Sequence, residues 1–550
     1  MTFFFDIIDF LSVVLHGLVL LAQSLALGGI MFILCLAQPL APTLGDMGPR
    51  LLATCRRIIG VSALCLAGLE ALLLFAELAL LTSSTDLPLS EVAGASFAIA
   101  RAISIPAALI IAAVSFGRVR PVLPWLIAFG LVILLASTAT SHAAARLEHR
   151  TLLIIAVALH QVGAATWIGG IPYFLIALHR AQALDATRAI GRRFSRMSMG
   201  AVGALLLAGI ALSVAYIDAP SAFYGTSYGV MVATKILMFA ALLILGWMNF
   251  RTVERLRRDP GTPIIRLKRF AEAEVGIGIT VFLVAASITS LPPAVDLPFD
   301  RLSLAEIAER MVPRWPPTLT SPEQKATSNR STAEVVALSA AATRSAQANT
   351  DEAAVIPSAT RSANDMAWSE FNHNWAGIIV LLIGLAALAE RAGFRWGGHW
   401  PLLFIVLALF LFFRNDPENW PVGPNGFFES FADPSVAQHR VFIVLIALFA
   451  VFEWGIRTKR ITSPRAALVF PVSTAIASAL MLTHSHSFGN IKGELLVELT
   501  HIPLAVLGVT ASWARWLEVR LPPSDRSLPA WLWPICFALI GLVLITYRES

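Results

Sequence analysis

The segment Pro121-Val-Leu-Pro-Trp-Leu-Ile-Ala-Phe-Gly-Leu-Val-Ile-Leu-Leu-Ala-Ser-Thr-Ala-Thr140 contains no charged side chain. At about 1.5 Å per residue, a helix of that length crosses the roughly 30 Å of hydrocarbon in a bilayer. Arg118 and Arg120 precede it and Ser141-His142 follows it. The whole chain has the same character: of its 550 residues 57% are hydrophobic and 14% charged, and the mean hydropathy is +0.73. That is too apolar for a soluble enzyme and predicts an all-α polytopic transmembrane helical bundle in contact with the lipid bilayer.

Outward from this run we read about fourteen spans. The first eight are Phe10–Ala37, Ile58–Leu81, Ala93–Phe116, Pro121–Thr140, Leu152–Ala177, Met197–Tyr216, Gly229–Met248 and Phe270–Leu291. Six more follow at Trp375–Ala389, Trp396–Phe413, Val441–Phe452, Ala466–Leu482, Ile491–Trp513 and Leu528–Ile545, the ninth and eleventh short as drawn. Between the halves, from about Pro298 to Asn364, the chain turns rich in Ala, Ser and Thr, as in Ser328 to Ala348. It reads as a flexible extracytoplasmic linker. The expected organisation is an eight-span domain over residues 1–297, a linker over 298–370 and a six-span domain over 371–550.

Arginines orient the bundle, because short cytoplasmic loops carry the Lys/Arg excess. Arg50, Arg56 and Arg57 follow span one, Arg118 and Arg120 span three, and Arg180, Arg188, Arg192 and Arg193 span five. Arg251 to Arg269 follow span seven, and the second half repeats the alternation at Arg391 and Arg395, Arg457 to Arg465, and Arg515 and Arg520. The intervening loops carry Asp86, Glu91, Asp218, Asp296 and Asp300. Both termini are therefore expected outside, and Asp6 and Asp9 argue against a cleaved signal peptide. The net charge of +6 is mostly this loop bias and is no sign of nucleic-acid binding. Cys35, Cys55, Cys65 and Cys536 form no C-x-x-C pair and suggest neither disulfides nor a thiolate site.

On this topology nine of the eleven histidines fall outside or in the outer half of the bilayer; His179 and His399 are the exceptions. His16 lies about 9 Å into span one, His160 about 12 Å into span five and His501 about 15 Å into span thirteen. His142 and His149 flank the loop between spans four and five, His373 and His439 begin outward-facing helix ends, and His484 and His486 occupy the outer loop Thr483-His-Ser-His-Ser487. Ser12, His16 and Gln23 share a face of span one, as do Glu494, Glu498 and His501 on span thirteen. Glu498 and His501 form a Glu-x-x-His pair of the kind that holds metals in bundles, and Met481 adds a thioether one turn before His484. Glu70 and Glu77 share a face of span two, with Arg101 available from span three and Lys235 from span seven; these charges fit structural ion pairs or a transport path. A lone intramembrane histidine equally fits a hydrogen bond to a neighbouring hydroxyl or carbonyl. The clustering on one side is the stronger sign, since independent structural histidines have no reason to avoid the cytoplasmic half.

Residues 192 to 293, from Arg192-Arg-Phe-Ser-Arg-Met through Tyr228-Gly-Val-Met-Val-Ala-Thr-Lys235 to Ser290-Leu-Pro-Pro293, resemble the membrane domain of the copper resistance protein CopD/PcoD family. His160-Gln-Val-Gly-Ala-Ala-Thr-Trp167-Ile-Gly-Gly170 is similar to that family's fifth-span motif, and His16-Gly17 and Ser141-His142-Ala143 fit its pattern. The resemblance covers the first eight spans. It implies a bacterial inner-membrane protein that takes copper inward, served by a periplasmic copper-binding protein of the CopC type, with His16, His142 and His160 as copper ligands. The last six spans look like the extension of longer members, and the resemblance assigns no ligands there.

Imidazole suits both copper oxidation states and thioether favours Cu(I), so the donor mixture favours copper over Mg or Ca without excluding Zn. No P-loop pattern is present, so the expectation is a carrier and not an enzyme, driven by an ion gradient, the membrane potential or trapping inside. The main rival is a redox protein with one b-type haem held by His16 and His160, which lie at similar depth. A third reading makes the C-terminal half a copper delivery or assembly module.

Overall fold

The computed structural model describes residues 2–84, 88–118, 121–313, 315–322, 363–416, 419–432, 434–483 and 491–548. Thirteen helices among them are long and apolar enough to cross a membrane, and Ala466–Met481 is a shorter apolar one. The chain is a multi-pass all-α membrane protein; among the described residues the only β pairing is an isolated bridge, Asn419 to Asn425. The ninth and eleventh spans are longer than hydropathy alone suggests, Met366–Arg391 and Val436–Arg457. In the ninth, Asn374 is buried and bonded to the carbonyls of Leu544 and Tyr547, so polar residues that end the apolar run do not end the helix. The short member is instead the twelfth.

Two compact units are present. One comprises Met1–Ser303, Pro471–Ser485 and Gly508–Ala530; the other comprises Leu304–Phe470, His486–Leu507 and Trp531–Ser550. Within the stretch read as a linker, Leu304–Met311 is helical and Ala363 opens the helix that becomes span nine. Residues 323–362, including Ser328 to Ala348, lie outside the described residues.

In the first unit, spans one (Leu11–Leu44) and five (Arg150–Arg180) approach backbone to backbone. A Cβ on Gly28 would stand 2.3 Å from the Ala165 carbonyl oxygen, and one on Gly169 2.1 Å from that of Ser24. Hydrocarbon gives helices no hydrophobic reason to associate, so small residues that permit such van der Waals contact and interhelical hydrogen bonds hold them together. Here Tyr173 donates to the Leu25 carbonyl at 2.8 Å, and Gln23 donates to Gln161, which donates to Ser137 of span four. Both helices carry a π-helical turn, Ile33–Ala37 and Ala165–Gly169. Trp513 lies flat on Gly276 of span eight (Ile265–Asp296), where a Cβ would come within 1.6 Å of the ring.

Arginines of the basic stretches also bond backbone carbonyls of other helices. Arg56 donates to the carbonyls of Val114 and Gly117, Arg180 to that of Arg50, Arg188 to that of Leu256, and Arg193 to that of Cys35. Val114, Gly117 and Leu256 lie at the C-terminal ends of their helices, where a guanidinium both bonds an unsatisfied carbonyl and meets the negative end of the helix dipole; Arg50 is in the first turn of Met47–Ser84 and Cys35 in the π-helical turn of span one, so there the bond ties neighbouring helices together. On the opposite side Arg146 grips Asp296 with two bonds of 2.8 and 2.7 Å, and Arg301 holds Asp218 at 2.6 Å.

In the second unit, spans nine and fourteen (Ser527–Ile545) touch through glycine: a Cβ on Gly377, Gly384 or Gly541 would fall 2.3 to 2.5 Å from the facing backbone nitrogen. Arg457 joins Glu453 and Glu390 at 3.0 and 3.2 Å and lies over the rings of Trp400 and Trp533.

Replacing Gly169 by Ala is expected to lower the unfolding temperature in detergent, with an overpacking cost of roughly 1–3 kcal/mol. Gly203→Ala, in span six with nothing within 4 Å, should leave the temperature unchanged or raise it. Equal effects from both would show that the contact between spans one and five is not tight.

Candidate functional site

Spans five, seven (Ser227–Arg258) and eight of the first unit bring ionisable side chains together at two depths. Toward the N-terminal ends of spans five and seven, the Nε2 atom of His160 meets the Nζ atom of Lys235 at 3.5 Å. His160 Nδ1 is buried without a hydrogen-bond partner; the Leu205 backbone is close but does not complete one. Lys235 was read as a partner for the carboxylates of span two, and it faces His160 instead. Toward the C-terminal end of span seven, Glu274 of span eight is 3% exposed and accepts a 2.5 Å bond from Asn249 Nδ2 of span seven. The indole of Trp167, in the π-helical turn of span five, lies beside this carboxylate. The Oδ1 atom of Asn249 is buried and unbonded.

Arg101 of span three closes a separate triad. It bonds Glu70 at 2.5 Å and Glu77 through two nitrogens at 3.0 and 2.8 Å. Its side chain is 12% exposed and that of Glu70 is 9% exposed, so solvent screens this cluster little. Ser104 supplies Glu70 with a further bond. His16 of span one lies within the electrostatic reach of Arg101. The carboxylates and the arginine thus form one mutually satisfied group.

Between spans four and five His142 opens a one-turn helix, His142–Ala145. Its ring meets Tyr216 edge-on at 6.3 Å; Tyr216 in turn contacts Tyr228, and Arg146 lies 5.6 Å over its ring. The Nε2 atom is buried and unbonded, while the backbone at Ile288 and Thr289 hydrogen-bonds the ring. Burial holds its pKa below the ordinary histidine value, so the ring is kept neutral. His149 occupies the left-handed region at φ 52° as the chain enters span five.

The second unit places His501 beside His373, with perpendicular rings 5.9 Å apart, and stacks Tyr547 on His373 at 4.0 Å. Each histidine holds its Nδ1 atom 2.8 Å from the carbonyl four residues earlier, Ser369 or Val497. An N–H directed at a carbonyl is the arrangement that orients metal-binding histidines and makes Nε2 the lone-pair nitrogen. Glu498 is buried. Met481 belongs to the first unit, whereas Glu498 and His501 belong to the second. His484 and His486 lie outside the described residues, as does the side chain of Glu494. His439 bonds Asp416 at 2.9 Å, His179 the Leu175 carbonyl and His399 the Trp454 indole. Among the described residues no three His, Cys, Asp or Glu side chains converge on one point.

Two features escaped the sequence reading. Glu274 sits in the basic, inner part of span eight beside Glu272, and Asn249 reads as an ordinary helix-end amide. One signal was available: Glu274 lies nine residues into the helix Ile265–Ser290, about 13 Å from its start. The pairing of His373 with His501 joins residues far apart in sequence and leaves no local trace.

These features define a polytopic helical membrane protein with ionisable groups buried in the bundle and with histidines at several depths. Residues 188–288 match the family model described as Copper resistance protein D. This segment runs from span six to span eight and contains both Lys235 and Glu274. Copper transport protein CutJ of Bacillus subtilis (strain 168) is similar, 34% identical over 172 residues, or 31% of this chain and 30% of that protein. The chain therefore spans less than a third of the length of that curated relative. No solved structure matches.

Arg101→Met leaves two carboxylates without their cation and should cost about 3–5 kcal/mol in detergent unfolding, as breaking a buried pair does. The triple change with Glu70→Gln and Glu77→Gln should recover much of that loss; no recovery would remove the triad from the account. At His142 burial lowers the folded-state pKa below the ordinary value of 6.5, so the unfolded chain takes up the proton more readily than the folded one. Stability should therefore fall as pH drops through 6.5, and His142→Gln should blunt that fall in a pH series of unfolding temperatures.

Proposed function

We propose that this chain is a copper-handling protein of the bacterial inner membrane that binds copper from the periplasm and imports it, a carrier and not an enzyme. The observation that carries the reading is the copper resistance segment over 188–288, because its Lys235 meets His160 in the fifth-span motif. The relative named for copper transport supports the same cargo. On this reading both termini are periplasmic, and the copper reaches the outer face from a periplasmic copper-binding protein of the CopC type.

His142 receives the ion at the outer face, where burial keeps its imidazole neutral and its Nε2 atom has no protein partner. Neutral imidazole binds copper in either oxidation state, whereas imidazolium cannot. His16 and His160 take the ion deeper. When His160 donates Nε2–H to a neutral Lys235, its unbonded Nδ1 atom presents the lone pair to the ion. A charged Lys235 reverses the polarity of that contact and repels a cation, so the lysine sets when the site accepts cargo. The inside-negative membrane potential, worth about 2.3 kcal/mol per charge per 100 mV, draws the ion inward. In the second unit His373 and His501 form a further candidate site, with Glu498 on the same helix as His501.

Cells expressing the protein should accumulate more copper than controls, measured by elemental analysis of washed cells. His16→Ala and His160→Ala should each reduce that gain about tenfold or more, the scale on which metal sites respond to disruption. Unchanged accumulation in both variants, at equal membrane abundance, removes these residues from the path; no gain with the native chain refutes import.

A further inference from the structure

Glu274 is the one buried carboxylate in the described part of the first unit on which no charged neighbour acts. Its partners are Asn249 of span seven and Trp167 of span five, both neutral. The charges nearest it in sequence are engaged elsewhere: Arg269 pairs with Glu272, and Glu272 is bonded by Arg520 at 2.9 Å and by the Trp516 indole at 3.0 Å. Gln23 and Ser24 of span one and Thr166 of the π-helical turn, the other buried polar groups of these helices, are uncharged. Lys235 lies fourteen residues up span seven from Asn249, about 21 Å away along the axis, and contacts His160.

An ionised carboxylate alone at such depth is costly. It is stable there in two forms, as the neutral acid or as a carboxylate with a cation bound. Asn249 suits both. Its amide N–H donates to the carboxylate, and its oxygen, buried and unbonded, can accept from the acid O–H once the amide turns over. The chain thus supplies a neighbour for each protonation state and a fixed counter-charge for neither. The Trp167 and Phe239 rings, 5.9 Å apart, lie on spans five and seven between the outer pair and this group, and Gly246 leaves room for the indole at 3.3 Å.

We infer that Glu274, with Asn249, is the inner station of the ion path, where an arriving copper ion displaces the carboxyl proton and the proton returns when the ion leaves. The exchange balances as carboxylic acid plus copper ion giving copper carboxylate plus a proton, which passes to the inner aqueous side, with no change of oxidation state. This rests on the copper reading above and adds the inner station and its charge compensation. Oxygen donors bind copper more weakly than imidazole does, as a station that must release its ion requires.

The inference is tested on the full-length protein by infrared difference spectroscopy in detergent and by copper uptake into proteoliposomes, with Cu(I) and Cu(II) in separate samples. The native protein should show a carboxylic-acid C=O band that disappears on adding copper, and Glu274→Gln should lack that band while still binding copper at the outer histidines. Lowering the internal pH should slow native uptake severalfold, because protons compete for the inner station, and Glu274→Gln should lose this dependence, with Glu274→Asp restoring part of it. Copper binding with an unchanged acid band, or an internal-pH dependence that survives in Glu274→Gln, overturns the inference and leaves copper handling intact. A native protein that binds no copper at all overturns both.

Discussion

A charged or hydrogen-bonding group that enters hydrocarbon must find its partner inside the protein, because no water is there to supply one. The rest of this molecule is arranged around that requirement. Arg101 gathers Glu70 and Glu77 from the neighbouring span, Lys235 meets His160, Gln23 meets Gln161, and Asn249 meets Glu274. Each pair joins two helices, so satisfying the polar groups also fixes which helices are neighbours. Glycine then sets how near they come, as at Gly28 and Gly169.

The pairs are not equivalent. The Arg101 triad is complete: two carboxylates share one guanidinium through three bonds. His160 and Asn249 each keep a buried polar atom with no partner, and Glu274 has no opposing charge. Buried groups left incompletely satisfied are expensive, so a fold keeps them where something else comes to complete them. All three lie on spans five, seven and eight, and two of them fall in the segment that matches the copper resistance family.

Much of the fold was legible in the sequence, because uncharged runs near the thickness of a bilayer and alternating basic loops are each set by the membrane itself. Arg56 shows a second use of these arginines: it also bonds the helix-end carbonyls of Val114 and Gly117. The pairing of Arg101 with Glu70 and Glu77 was legible too, since helical spacing puts the carboxylates on one face. What was not legible is tertiary. The sequence offers no way to see that Lys235 turns to His160, that His373 lies beside His501, or that Glu274 faces away from the charges that flank it. The ninth span was misjudged in length for a related reason, since Asn374 looks like a terminus until its partners at Leu544 and Tyr547 are known.

The central claim is that the histidines in the membrane serve copper. The most direct measurement is elemental analysis combined with a visible absorption spectrum on the purified full-length protein. Copper in stoichiometric amount, diminished in His16→Ala and His160→Ala and without a Soret band, is the expected result. A Soret band that disappears in either variant, with no copper above background, would show that those imidazoles hold haem iron and would contradict the account.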